Sequence, residues 1–353
     1  MTHSDDRPLR LLKSVAPIRI CDNGGWTDTW FARYGRIFNI AVYPCVEVQM
    51  KVYEHHGGEQ RITVNAENYG ERYMIGEPGG HYTRQPLLEA TIDFMKIPAG
   101  VAIELAIHSD VPGGCSTGTS AAVSVALIGA LDTLTPGQMT PHQVAQAAHK
   151  IETELLRQQC GIQDQIASAY GGINYIEMFE YPRASVSQVV VPDPIWWELE
   201  SRLSLIFVGI AHSSSQVHEM VIRELESAGP EADNLRPLRE TAARSRDALL
   251  VGDFASLGRA MIENTDAQAN LHPALIGPDH RRIIEIAAEH GAIGWKVNGA
   301  GGAGGSVTIL SGPDRTVRRA MLREVQAGEA GYQSIPIRLS RSGLRVWEAG
   351  LVH

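Results

Sequence analysis

Residues 37–53, IFNIAVYPCVEVQMKVY, are dense in Ile, Val, Phe and Tyr and predict a strand, interrupted at Pro44. VAIELAIHSD, from Val101, alternates less cleanly but also reads as a strand, and it runs straight into the turn-forming VPGGCSTGTS. The next stretch, AAVSVALIGAL, is apolar and long enough for a buried helix. A further helix starts at Thr140, which caps it, with Pro141 in the first turn and Gln143 at the reciprocal capping-box position. Val144, Ala148, Ile151 and Leu155 form its apolar stripe, which puts Glu152 at the edge of the stripe and Glu154 towards solvent. A helix break is expected at Cys160–Gly161.

Farther on, SLIFVGIAHSSSQVHEMVIREL predicts strand, polar turn and helix. More helices are expected around 232–249 and 278–290, and late strands in GSVTILSG and SIPIRLSRSGLRVWEAG. The helices after Gly118 and Thr140 follow one another with no strand between them. That order is α+β, and it disfavours a doubly wound dinucleotide-binding sheet. VPDPIWWELE marks a weak linker, and a boundary near 190–205 divides the chain into residues 1–195 and 196–353.

Composition narrows the classes. With 353 residues, 44% hydrophobic and 20% charged, the chain can bury substantial cores and is not disordered. A formal net charge of -9 argues against a nonspecific nucleic-acid surface but leaves room for a locally positive pocket. Cys21, Cys45, Cys115 and Cys160 form no CxxC pair and no structural zinc spacing, so reduced, mostly buried thiols are expected. The N-terminal MTHSDDRPLRLLK has no secretory signal core, and no apolar run approaches the roughly 20 residues of a membrane span. A cytoplasmic protein without a membrane partner is the expectation. Oligomeric state is not legible.

The candidate chemistry begins in the loop Gly113, Gly114, Cys115, Ser116, Thr117, Gly118, Thr119 and Ser120. It has Walker spacing, but Thr119 stands where that motif needs lysine, so a standard P-loop is disfavoured. Glycines still allow several backbone N–H groups to face one anion, and the following helix adds its positive end. An ordinary strand–helix turn fits the same residues. Glu152 and Asp164 are brought near the end of that helix if the chain folds back at the Cys160–Gly161 break. There Glu152, beside Ser120, could bind Mg²⁺, and Asp164 could orient a substrate hydroxyl and accept its proton. Gln163 and Gln165 flank Asp164 as hydrogen-bonding partners for it or for substrate, and Arg19 could balance its charge.

GGWTD supplies Trp26, Thr27 and Asp28, an aromatic face, a hydroxyl and a carboxylate suited to a polyhydroxylated ligand or to a polar turn. Ser213 to Ser215 could cap a helix and touch substrate, or make only a local turn; His212 and His218 are not a convincing metal pair. GWKVNGAGGAGGSVTIL sets a glycine-dense turn before a strand, for packing against the phosphate loop or as a tight interdomain turn, and Lys296 there could contribute charge.

Three segments in order, APIRICDNGGWTD (16–28), VPGGCSTGTSAA (111–122) with GIQDQ, and KVNGAGGAGGS (296–306), resemble the galactokinase, homoserine kinase, mevalonate kinase and phosphomevalonate kinase (GHMP) superfamily. APIRI followed by GGWTDT is most similar to its branch of L-fucose kinases and D-glycero-D-manno-heptose 7-phosphate kinases. The resemblance implies a two-domain fold with ATP and a sugar or sugar-phosphate acceptor in the cleft between the domains. It implies Ser120 and Glu152 as Mg²⁺ ligands, Asp164 as the base with Arg19 as its companion, and Asp28 on substrate hydroxyls. Late glycines, Gly301 and Gly302 among them, are implied to brace the nucleotide loop and approach the acceptor. Ser116 and Thr117 depart from the usual Gly-Leu, Thr119 from the first of two serines, and Trp30 and Phe31 from the proline pair of the fucose kinases. An anomeric hydroxyl is the expected acceptor, with a nonsugar alcohol or a catalytically inactive ligand-binding homologue as alternatives.

Overall fold

The computed structural model describes residues 7–57, 60–76, 79–210, 216–328 and 331–350. The serine cluster at Ser213 to Ser215, and His212, lie outside the described residues.

The first half builds β1 (Arg10–Asn23), β2 (Gly35–Glu54), β3 (Ile62–Ala66), β4 (Glu71–Ile75), α1 (Pro86–Met95) and β5 (Val101–Ser109). Helices α2 (Thr119–Asp132), α3 (Pro141–Lys150) and α4 (Gln163–Tyr170) follow, then β6 (Ile173–Glu180) and β7 (Arg183–Gln188). The second half gives α5 (Asp193–Arg202), β8 (Leu203–Phe207), α6 (Gln216–Ala228), α7 (Arg236–Leu250), α8 (Phe254–Leu271) and α9 (Pro278–Glu289). It ends with β9 (Gly294–Val297), β10 (Ser306–Leu310), α10 (Arg315–Ala327), β11 (Gln333–Ile335), β12 (Arg338–Leu339) and β13 (Arg345–Ala349).

Two sheets organise these elements. The larger runs β13-β1-β2-β5-β3-β4, with β6 and β12 also pairing β2, and β7 pairing β6. The smaller runs β11-β8-β10-β9. Strand β2 does not stop at Pro44. That residue falls at a register shift opposite Pro17 and Ile18, where the ladder needs no N–H from it. The segment expected as a linker, VPDPIWWELE, is largely helix α5, because Trp196 and Leu199 bury one face of it in the main core. Strands β12 and β13 cross back to the first sheet, so residues 338–349 belong to it by pairing.

Helix α2 is buried almost all round, packed on β1 and β2 and against α1, α3 and α4, which explains its uninterrupted apolar sequence. Its neighbour α3 begins with the expected capping box: Gln143 N–H donates to Thr140 Oγ1 at 3.3 Å, and Thr140 N–H to Gln143 Oε1 at 2.8 Å. Beyond Lys150 the helix widens into a π-turn over Ile151–Leu155. A second core lies between the smaller sheet and α9 and α10. A third, smaller cluster joins Trp26, Phe31 and Ala32 to Val221 and Leu225 of α6, Leu238 of α7 and Leu271 of α8. That cluster fixes the turn after β1 against the second half of the chain and closes one end of a cleft.

Candidate active site

Arg19, in the middle of β1, is buried and makes a two-pronged contact with Asp164: Nε to Oδ1 at 2.8 Å and Nη2 to Oδ2 at 3.2 Å. Burial alone would lower the basicity of Arg19, but Asp164 and Asp22 outweigh it and hold the guanidinium cationic, above its ordinary value. Asp164 is presented by the first turn of α4 and keeps 28% of its side chain exposed, so one side of it stays open to a ligand. Gly118, left-handed at φ 71°, passes so close that a Cβ there would lie 3.1 Å from the Asp164 carboxyl carbon. The end of the phosphate loop and the carboxylate thus share one corner.

The loop itself is held by its carbonyls. Ser306 Oγ donates to Cys115 O at 2.6 Å, Arg19 Nη1 to Ser116 O, and Arg19 N to Thr117 O at 2.9 Å. With these oxygens tied to the protein, no N–H from Gly113 to Ser120 donates a hydrogen bond among the described residues. Helix α2 starts at Thr119 and adds its own unpaired first turn, with Ser120 exposed on the cleft wall. Unpartnered donors at a helix N-terminus are the physical requirement for a phosphate cradle. Burial pushes the Cys115 thiol up to about 11, which leaves it a packing residue.

Glu152 sits in the π-turn, 5% exposed, while Glu154 points out as its place on the helix predicts. Its Oε1 accepts from Gln165 Nε2 at 3.0 Å, and no cationic side chain pairs with it among the described residues. Burial, reinforced by the Asp164 charge and opposed by the Gln165 bond, pushes its carboxyl up to about 7. A buried carboxylate short of positive charge, lining the same cleft as the Ser120 hydroxyl, is a donor set for a small hard cation. The described residues hold no cluster of three or more His, Cys, Asp or Glu able to enclose a metal. Two protein oxygens completed by phosphate and water match the usual habit of magnesium.

The cleft, about 890 Å³, is lined by Arg19, Asp22, Ser120, Glu152 and Asp164, by Trp26, Asp28 and Trp30, and by residues of helix α6. Asp28 Oδ2 accepts the N–H groups of Ile162 (3.0 Å) and Gln163 (3.1 Å), so it also anchors the start of α4. Burial, with repulsion from Asp164, pushes Asp28 up to about 6. Trp26 lines the cleft with a mostly buried ring that packs on Phe31 (centroids 6.4 Å) and His218 (5.7 Å). Trp30, half-buried with Nε1 bonded to Glu226 Oε1 at 2.6 Å, is the more open ring on this wall.

Thr27 is fully buried, its hydroxyl bonded to Gly24 O at 2.7 Å, and braces the turn without lining the cleft. Gly301 and Gly302 do not line it either. Gly302 N–H bonds Leu275 O at 2.7 Å, and a Cβ on Gly301 would lie 2.3 Å from the same oxygen; Gly299 and Ala300 face the cleft in their place. Sequence reasoning missed Asp22, Asn298 and Ser306. Asn298 Oδ1 accepts from Cys21 N at 3.1 Å, tying the late glycine turn to β1.

The Arg19–Asp164 pair, the buried Glu152 carboxyl and the open first turn of α2 at Ser120 thus share one cleft. The chain matches the GHMP kinases N terminal domain family over residues 86–172 and the GHMP kinases C terminal family over 245–328. It belongs to the GHMP kinase superfamily and is an ATP-dependent phosphotransferase. It is similar to D-glycero-alpha-D-manno-heptose 7-phosphate kinase of Campylobacter jejuni, 26% identical over 255 residues, 72% of this chain and 73% of that protein. Mevalonate kinase of Pyrococcus abyssi is 25% identical over 250 residues, covering 70% and 69%. A crystal structure titled D-glycero-D-manno-heptose 1-phosphate kinase from Bacteriodes thetaiotaomicron shares the fold, with TM-score 0.74 at 21% identity over 96% of this chain and 100% of that one. No described helix is long and apolar enough to cross a membrane.

Proposed function

We propose that this chain transfers the terminal phosphoryl group of ATP to the anomeric hydroxyl of a sugar or sugar phosphate. The observation that carries the reading is the Arg19–Asp164 pair, at 2.8 Å, facing the same cleft as the first turn of α2. In this reading the free N–H groups of residues 113–120 hold the phosphates. Ser120 and Glu152 would hold magnesium, which when bound neutralises charge on the phosphate oxygens. Asp164 accepts a hydrogen bond from the acceptor hydroxyl and takes its proton as the new O–P bond forms and the bond to ADP breaks. Arg19 fixes the plane of Asp164, and Asp28, Trp30 and Glu226 offer partners to sugar hydroxyls. Arg157 and Arg223, both exposed on the cleft wall, favour an acceptor that already carries a phosphate.

The test is ATP consumption with direct product detection across free sugars, heptose and hexose phosphates, and mevalonate-like alcohols. Phosphorus-coupled NMR should find the new phosphate on the anomeric oxygen of a sugar phosphate. Phosphate on another hydroxyl would remove the anomeric assignment, and transfer to the mevalonate-like acid alone would replace the sugar.

A further inference from the structure

Asp22 is fully buried three residues beyond Arg19 on β1 and has no role in the reaction as drawn above. Both its oxygens accept the N–H of Gly299, at 3.2 and 3.0 Å. Lys296 Nζ lies 3.6 Å from its Oδ1, and Arg19 Nη2 lies 3.9 Å from its Oδ2. Lys296 is itself 1% exposed and is held by Gln268 Oε1 at 2.8 Å and by Val297 O. Gln268 returns a bond to Gly299 O at 3.2 Å. Four charges therefore alternate in sign, Asp164, Arg19, Asp22 and Lys296. The chain they form runs from α4, through β1 of the larger sheet, to β9 of the smaller one.

We infer that Asp22 and Lys296 are positioning residues for phosphoryl transfer: an ion pair that sets the guanidinium of Arg19 against Asp164. The inference rests on the role proposed for Asp164. A guanidinium with one carboxylate neighbour can pivot about that contact. Arg19 has three fixed points, Asp164, Ser116 O and the charge of Asp22, and the third is set by Lys296 and by the N–H of Gly299. A displacement of about 1 Å at the reacting groups costs on the order of 100-fold in rate, so loss of the third point reads out in turnover more than in binding.

A purely structural pair behaves differently, because replacing both members of a buried pair leaves no unpaired charge and is often neutral for stability. The test is the charge-neutral double variant Asp22→Asn with Lys296→Met, in which Asn keeps an oxygen for Gly299 N–H. Its melting temperature should stay near that of the parent. Its kcat should fall about 10- to 100-fold, with KM for ATP and for acceptor within about threefold. Asp22→Asn alone, isosteric and leaving Lys296 able to shed its proton, should show the same split if the double variant does not fold. Parent-like kcat in either folded variant overturns the inference, as does a loss confined to KM. Asp164→Asn is run beside them. If it too keeps full turnover the proposed site is wrong, whereas an inactive Asp164→Asn beside a fully active double variant removes only Asp22 and Lys296.

Discussion

Two glycine-rich turns of nearly equal length meet at the cleft, and they use their backbones in opposite ways. In residues 113–120 the carbonyls are tied down and the N–H groups are left free. In residues 298–305 four of the eight N–H groups are consumed: Asn298 by Ser306 O, Gly299 by Asp22, Gly302 by Leu275 O and Gly305 by Ile210 O. The first turn keeps its N–H groups for an anion, whereas the second has already committed half of its own. Glycine content does not separate them; the destination of each N–H does. The second turn is a buttress: Asn298 Nδ2 donates to Ser306 Oγ, which in turn donates to Cys115 O of the first.

The contrast can be broken in several ways. The largest effect is expected at the carboxylate beside the first turn: Asp164→Asn should cut kcat about 1,000-fold with KM for ATP nearly unchanged, measured by steady-state kinetics. Turnover within tenfold of the parent would separate Asp164 from the chemistry. Next is Glu152→Gln. The Glu152 carboxyl rises from 4.5 to about 7 on folding, so its contribution to stability is full below pH 4.5 and lost as pH rises through 7. At pH 8 without divalent metal the Gln variant should therefore be more stable, on the order of 2–3 kcal/mol by chemical denaturation, and the gap should close at pH 4. A variant less stable than the parent at pH 8 would show that a cation already compensates Glu152.

Smaller still is Gly118→Ala, which adds a Cβ at φ 71° against Asp164. It should lower kcat/KM for ATP about 30-fold with a stability loss of about 1–2 kcal/mol. The counterpart in the buttress, Gly301→Ala, pushes on Leu275 O and should cost about 1–2 kcal/mol of stability, yet leave KM for ATP within twofold. If Gly301→Ala weakened ATP as strongly as Gly118→Ala, the two turns would be one binding unit and the distinction would fail.

Local physics made part of this legible in advance. The capping box at Thr140 and the contrast between buried Glu152 and exposed Glu154 follow from spacing alone, and both are present. Arg19 and Asp164, 145 residues apart, came from motif resemblance, and the fold brings them into contact. What escaped was set by distant partners. Asp22 finds Gly299 across 277 positions, so nothing near it in the chain marks it as buried. Helix α5 read as a linker because Pro192 and Pro194 signal a turn, whereas the burial of Trp196 and Leu199 decides the outcome. Trp26 lines the cleft, but most of its ring is covered by a cluster with residues of α6, α7 and α8 that sequence order cannot place.

The return of β13 to the outer edge of β1 bears on how the molecule is made. Residues 345–349 pair that edge at Leu11–Val15, and they are made long after β1 itself. Until then a long apolar strand presents open backbone to its surroundings, an invitation to mispair with another nascent chain. Deleting residues 345–349 would therefore harm solubility without removing any residue that lines the cleft.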